Sequence, residues 1–244
     1  MSQHLSSTRS SRALFASIVM MVMMILFLST QSSLAITPVG PRISNLKNSW
    51  TIGNSSPNTL VEFEMFLDLT CPDCATHFQS ITKPLVQYYF NNGTSGNQDK
   101  VVFSLHLMPL PMHIAGFYSA QTYSIVSKFS KADRNVCWKF LDLFFSNQSP
   151  ASNANLKNMN QAQIFNLIYA TYVQPLGLIS YEQYLSEMNS QSSFAQAASM
   201  FGYATSRGLY GTPFFFVNGV NVFNGYDFTA ADWISMIDGI IKSN

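Results

Sequence analysis

The chain has 244 residues, enough for one large domain or two small ones, and its 47% apolar content suits a packed core rather than a disordered segment. Charged residues make up only 10% of it, close to balanced at a formal net charge of +1. The basic stripe that a phosphate backbone requires is therefore missing, which excludes nucleic acid as a partner.

Arg9 and Arg12 precede an apolar run from Ala13 to Leu28, which a polar segment and Ser33-Leu34-Ala35 follow. Basic, apolar and small-residue regions in that order form a secretory signal over residues 1–35, with cleavage expected after Ala35. The run is only slightly shorter than the roughly 18 residues of a spanning helix, so the alternative is an uncleaved signal anchor, the one route by which this chain would meet a membrane. Export places the mature protein in the secretory pathway, secreted or luminal. There disulfides persist and the sequons at Asn54, Asn92 and Asn147 become candidate N-glycosylation sites, the last weakened by Pro150. Of three cysteines, Cys71 and Cys74 lie two residues apart and pair most simply with each other, leaving Cys137 as a free thiol.

Residues 36–58, rich in Pro, Gly, Asn and Ser without periodicity, predict an extended lead-in to a domain over 59–244. Leu60 to Leu69 then places apolar residues at every odd position, a period of two and hence a strand. Directly after Thr70-Cys71-Pro72-Asp73-Cys74, the residues Ala75, Phe78, Ile81, Leu85 and Tyr89 share one side of a helix that Pro84 should kink. Val101 to Met108 predicts a second strand, parallel to the first through a right-handed crossover. From about 113 to 207 the period is helical: one stretch to Phe129, another from Ala132 to Phe145, a third from Gln161 to Tyr172, a start at Ser180 with Gln183, and an Ala-rich run ending before Gly208. Phe214–Val217, Asn218-Gly219 and Val220–Phe223 predict a hairpin with a type I′ turn. Thr229 with Asp232 caps a final helix carrying Trp233, Ile237, Ile240 and Ile241.

The dithiol carries the chemistry. A thiol attacks a disulfide only as thiolate, and a helix N-terminus lowers its pKa through exposed N–H groups and a positive dipole end. Cys71 is placed there, and Cys74, one turn later, can close a disulfide on it and expel a mixed-disulfide substrate. Two other accounts of the pair remain open: half of a zinc site with His77 as a third ligand, and a short structural disulfide. His106 and His113 are expected to be hydrogen-bonded structural histidines, Cys137 a buried inert thiol, and Phe214–Phe216 core strand.

Phe66-Leu67-Asp68-Leu69-Thr70-Cys71-Pro72-Asp73-Cys74 resembles the active-site segment of DsbA-like thioredoxin-fold proteins, and Gly211-Thr212-Pro213-Phe214-Phe215-Phe216-Val217-Asn218-Gly219 resembles their second signature. His106 through Pro111 and His113, with Tyr210-Gly211-Thr212-Pro213, is similar to secreted thioredoxin-superfamily proteins of the plant type, some of which replace the second cysteine by serine. The resemblance implies an α/β thioredoxin fold, a central mixed sheet flanked by helices with a large helical insertion. It implies catalytic Cys71 and Cys74, with Pro213 as a cis residue against the dithiol and the Thr212 backbone pairing with an extended substrate. Sulfur 71 would open the helix and face solvent.

Two departures from the family pattern matter. Strongly oxidising members have His between the cysteines, whereas Pro72-Asp73 puts a carboxylate there that should disfavour the thiolate. A dithiol less oxidising than bacterial DsbA, at about −120 mV, is expected. The buried acid that often sits six residues before the nucleophile is here Met65, so Glu64 and Asp68 become the candidates for a proton relay, unless both are merely solvated at a strand end. The implied function is thiol–disulfide exchange on cysteine-containing exported proteins, without a cofactor, recharged by a redox partner the residues do not name. The alternative is a redox-silent peptide-binding or chaperone-like module.

Overall fold

The structure, a computed structural model, describes residues 49–53, 55–91 and 96–244. The secretory signal, most of the lead-in, and the sequons at Asn54 and Asn92 lie outside the described residues. Among the described residues, five strands form one mixed sheet in the order β1-β3-β2-β4-β5: β1 Ser49–Ile52, β2 Val61–Leu67, β3 Val101–Leu107, β4 Phe214–Val217 and β5 Val220–Asn221. The central β2 pairs parallel with β3, Val61 opposite Val101 through Leu67 opposite Leu107, and antiparallel with β4. Helices cover the sheet, and the fold is the α/β thioredoxin fold that the sequence resemblance implies.

The alternation of β2 explains its central position. Val61, Phe63, Met65 and Leu67 are buried on one face, where Phe63 stacks on Phe103 at 4.8 Å and meets Trp233 edge-on at 4.8 Å. On the other face Phe66 joins Met108, Leu110, Ala204, Leu209 and Phe216 in a smaller apolar cluster. Burying a residue of this size is worth about 1.5–3 kcal/mol, so a one-residue slip that exchanged the faces would be prohibitive.

Six helices lie between β3 and β4: α3 Gly116–Phe129, α4 Arg134–Ser146, α5 Asn153–Leu156, α6 Gln161–Ile168, α7 Tyr181–Met188 and α8 Gln191–Ser206. Local caps set several starts. Asn160 with Gln163, Ser180 with Gln183 and Thr229 with Asp232 form reciprocal capping boxes, the last opening α9 Ala230–Lys242.

Three expectations are corrected and one, at Pro84, gains detail. The lead-in is not wholly extended, because Ser49–Ile52 pairs antiparallel with β3 as an edge strand, anchored by Trp50, whose Nε1 donates to the Arg134 carbonyl at 2.9 Å. Helix α4 starts at Arg134 rather than Ala132, since Lys131 and Ala132 adopt left-handed φ angles of 55° and 58°, and Asp133 caps the helix from outside. At Pro84, where a kink is expected, the chain stays helical with an irregular ladder before it. Between α1 Pro72–His77 and α2 Lys83–Val86 the ladder widens over Phe78–Thr82, where the Lys83 N–H reaches the Phe78 carbonyl five residues back. The hairpin turns on Asn218 and Gly219, at φ 49° and 78°, but β5 ends at Asn221 and Phe223 is exposed.

Two glycines should respond oppositely to alanine. A Cβ at Gly225 would lie 2.6 Å from Trp233 Cζ2 and 2.9 Å from Phe215 Cδ2, whereas one at Gly239, on α9, meets nothing within 4 Å. Urea unfolding should give Gly225→Ala a loss of about 1–3 kcal/mol and Gly239→Ala a gain of about 0.5–1 kcal/mol.

Candidate active site

Strand β2 delivers the chain to the C-terminal edge of the sheet, where Asp68 to Thr70 turn it into α1. Cys71 is the N-cap, with extended backbone at φ −80° and ψ 122°, and Pro72 occupies the first turn, where its missing N–H costs nothing. The turn is tied at three points. The Cys71 N–H donates to the Asp68 carbonyl at 3.2 Å, the Ala75 N–H donates to the Cys71 carbonyl at 3.1 Å, and the side-chain amide of Gln148 donates to the carbonyls of Leu69 and Cys71 at 2.6 and 2.9 Å. Gln148, two residues past the end of α4, holds this turn by its backbone. Its sequence context carries no signal for that role beyond a polar residue in a loop.

The two sulfurs stand in different environments. Cys71 keeps 6% of its surface and Cys74 none, so the nucleophile expected to face solvent is far less open than a surface thiol, yet it is the more accessible of the two. The Cys71 pKa falls from 9.0 to about 6. The largest cause is a hydrogen bond from the Cys74 thiol, which burial opposes, and the Cys74 N–H, the Thr212 side chain and the Asp73 N–H add to the fall. Cys74 goes the other way: burial, then the neighbouring Cys71, push it well above the ordinary thiol value. The Asp73 side chain is exposed, and its backbone N–H favours the Cys71 thiolate.

Thr212 and Pro213 close the site from the β4 side. Their peptide bond is cis, and the Cys71 thiol donates to the Thr212 carbonyl across 3.9 Å. The buried Thr212 hydroxyl has no partner in ordinary hydrogen-bond geometry among the described residues, and it lowers the pKa of both thiols it faces.

The two relay candidates separate. Asp68 is fully buried at the site, and its backbone N–H donates to Cys74 Sγ at 3.4 Å. Its carboxylate is saturated: Oδ1 accepts from the Thr70 N–H and hydroxyl, both at 2.7 Å, and Oδ2 from the Leu110 N–H at 2.7 Å and His113 Nδ1 at 2.8 Å. Four donors fill the four acceptor positions of a carboxylate, so Asp68 is placed to orient its neighbours rather than to ferry a proton. Glu64 lies apart, bonded to Arg207, His106 and Tyr203. Burial there is outweighed by hydrogen bonds from His106 and Arg207, which hold its pKa down to about 2, and it acts on neither thiol. Neither residue is solvated at a strand end.

Other residues divide similarly. His77 turns Nδ1 to the Asp73 carbonyl and Nε2 to the Tyr226 carbonyl, at 3.0 and 2.8 Å, away from the sulfurs, and no three His, Cys, Asp or Glu side chains gather as a metal site among the described residues. His106 stacks on Phe66 at 4.7 Å. Cys137 is buried against Ser130, and burial raises its pKa. Phe215 and Phe216 are core, and Asn147 is exposed at the end of α4.

A thioredoxin fold with a dithiol opening the helix after β2 and a cis-proline loop opposite defines the class of protein. Residues 45–238 match the family model described as Thioredoxin, and the chain belongs to that thioredoxin-like family. Among solved structures it is similar to a putative protein-disulfide isomerase from Pseudomonas syringae, with a TM-score of 0.61 and 15% identity over 77% of this chain and 97% of that one. It is similar also to oxidised BdbD from Bacillus subtilis, with a TM-score of 0.57 and 20% identity over 83% and 96%. MdbA, a thiol-disulfide oxidoreductase from Actinomyces oris, gives a TM-score of 0.57 and 19% identity over 79% and 88%. No curated protein matches the chain by sequence.

The depressed Cys71 pKa fixes a pH dependence. A thiol whose pKa falls on folding adds stability that is complete above its unfolded value of 9.0 and lost as pH falls through about 6. Urea unfolding of reduced protein should therefore weaken between pH 9 and pH 5 relative to the oxidised form, which has no Cys71 thiol to titrate; parallel curves would refute the shift.

Proposed function

We propose that this chain is a thiol–disulfide oxidoreductase of exported proteins, with Cys71 as nucleophile and Cys74 as resolving thiol. The observation that carries the proposal is the division of the pair, one thiol at the rim with its pKa down to about 6 and its neighbour buried with a raised pKa. In the reducing direction the Cys71 thiolate attacks one sulfur of a substrate disulfide, forms a mixed disulfide and releases the other sulfur as thiolate. Cys74 loses its proton and attacks Cys71 Sγ, so the intramolecular disulfide forms as the second substrate sulfur departs. Two electrons and the Cys74 proton pass to the substrate, whose second thiolate takes its proton from solvent; the reverse sequence oxidises a substrate dithiol.

The surroundings suit an extended polypeptide. Met112 and Ile114 flank His113, Tyr210 precedes the Thr212–Pro213 turn, and Tyr226 accepts from His77 one turn into the redox helix; all four are exposed. In this reading the Thr212 backbone pairs with substrate as an added strand would. The predicted leader over residues 1–35 supports exported substrates and a secreted or luminal location, and among the described residues no helix is long and apolar enough to cross a membrane. The His106–Pro111 and Tyr210–Pro213 segments support kinship with secreted plant-type proteins. The BdbD and MdbA likenesses support disulfide exchange in general.

Trapping tests the proposal. Cys74→Ser should accumulate mixed disulfides with client proteins through Cys71, Cys71→Ser should accumulate none, and both should reduce or oxidise substrate only at background rate. A redox-silent binding module would form no mixed disulfides in either variant.

A further inference from the structure

The redox turn is gripped by a side chain that belongs to the helical insertion. Gln148 Nε2 donates to the Leu69 carbonyl at 2.6 Å and to the Cys71 carbonyl at 2.9 Å. A primary amide nitrogen has two hydrogens, so both are spent on carbonyls two residues apart, and the Thr70 and Cys71 torsions between them are clamped. The Cys71 carbonyl also accepts the Ala75 N–H at 3.1 Å, which fills its second lone pair. Leu69 is only 2% exposed, so its carbonyl depends on the amide rather than on solvent.

Gln148 is in turn fixed by the insertion. Just before it, the Asn147 carbonyl accepts from the Tyr172 hydroxyl at 2.7 Å, and Tyr172, fully buried, stacks on Phe144 at 3.9 Å. The Gln148 carbonyl accepts from the Ala151 N–H at 2.9 Å, and the Ser149 carbonyl from the Asn155 side-chain amide at 2.7 Å. Phe145, in the last turn of α4, stacks on Phe78 at 4.5 Å, directly beyond α1. The amide and the turn it grips therefore share one packed frame.

The N-cap shows what this grip controls. The N–H groups of Asp73 and Cys74, the second and third residues of α1, favour the Cys71 thiolate, and a capping side chain reaches those donors from an extended backbone of its own. The φ of −80° and ψ of 122° that place the Cys71 sulfur there are among the torsions that the amide clamps.

We propose that Gln148 is a positioning residue of the dithiol, and that through its two hydrogen bonds the helical insertion holds Cys71 in the capping geometry that makes it reactive. The inference rests on Cys71 being the nucleophile of the proposed exchange. The insertion then does more than cover the sheet: loosening it at Asn147 or Tyr172 loosens the hold on Cys71.

The test is the ultraviolet thiolate absorbance of the reduced full-length protein as a function of pH, with oxidised protein as the blank. The wild-type midpoint should lie near 6. Gln148→Met, close in length and without a donor, should raise it by about one pH unit, cutting the thiolate fraction at pH 6 about fivefold. Gln121→Met is the control: on α3 its amide likewise donates twice, to the Met188 carbonyl and the Ser193 hydroxyl, both at 2.8 Å, and its loss should leave the midpoint in place. An unmoved midpoint in Gln148→Met, or equal rises in the two variants, overturns the proposal. Should either variant lose its native near-ultraviolet dichroism, Tyr172→Phe decides, since it deletes only the hydroxyl that holds the Asn147 carbonyl: a raised midpoint supports the proposal and the wild-type midpoint overturns it. Client trapping by Cys74→Ser keeps the two claims apart. Trapping with an unmoved Gln148→Met midpoint defeats this inference alone, whereas a raised midpoint without trapping defeats the proposed function and leaves the positioning role.

Discussion

A fully buried carboxylate, Asp68, governs the reactive corner of this molecule. It collects donors from Thr70, Leu110 and His113, so one side chain fixes the turn after β2, the segment after β3 and the approach to α3. A charge without such donors would cost several kcal/mol to bury, so the segments that supply them are held to one another through Asp68. Because the Asp68 N–H also meets Cys74 Sγ, the buried thiol is registered against the same anchor.

From that anchor follows the asymmetry on which disulfide exchange depends. Two identical side chains three residues apart would have similar pKa values in a free peptide. Here the N-cap position gives Cys71 the N–H groups of Asp73 and Cys74, while one turn further in Cys74 loses all contact with solvent. The fold therefore favours the thiolate at Cys71 and the protonated thiol at Cys74, the division that the proposed exchange would use. Thr212 faces both sulfurs from the opposite loop, so the cis-proline segment belongs electrostatically to the same site.

Local signals in the sequence were sufficient for much of the architecture. The alternation from Val61 to Leu67, the Asn218-Gly219 turn and the capping pairs at Ser180 and Thr229 each act within a few residues, and each appears where its chemistry requires. The dithiol and its cis-proline loop were legible through their family resemblance. What was not legible depends on distance along the chain. Strand β1 has only Trp50 and Ile52 as buried residues, too few for a period, and its strand character comes from pairing with β3. Gln148 reaches the redox turn from about 77 positions away, and nothing in its neighbours marks it. Glu64 and Asp68 look equivalent in the sequence, yet one meets Arg207 and the other His113, contacts that only the folded chain brings about.

The central claim is that the fold separates Cys71 from Cys74 in reactivity, and alkylation of the reduced native protein followed by peptide mass mapping tests it most directly. At neutral pH a limiting dose of iodoacetamide should label Cys71 and leave Cys74 and Cys137 intact until the protein is unfolded. Labelling of Cys74 as fast as Cys71 in folded protein would contradict the account.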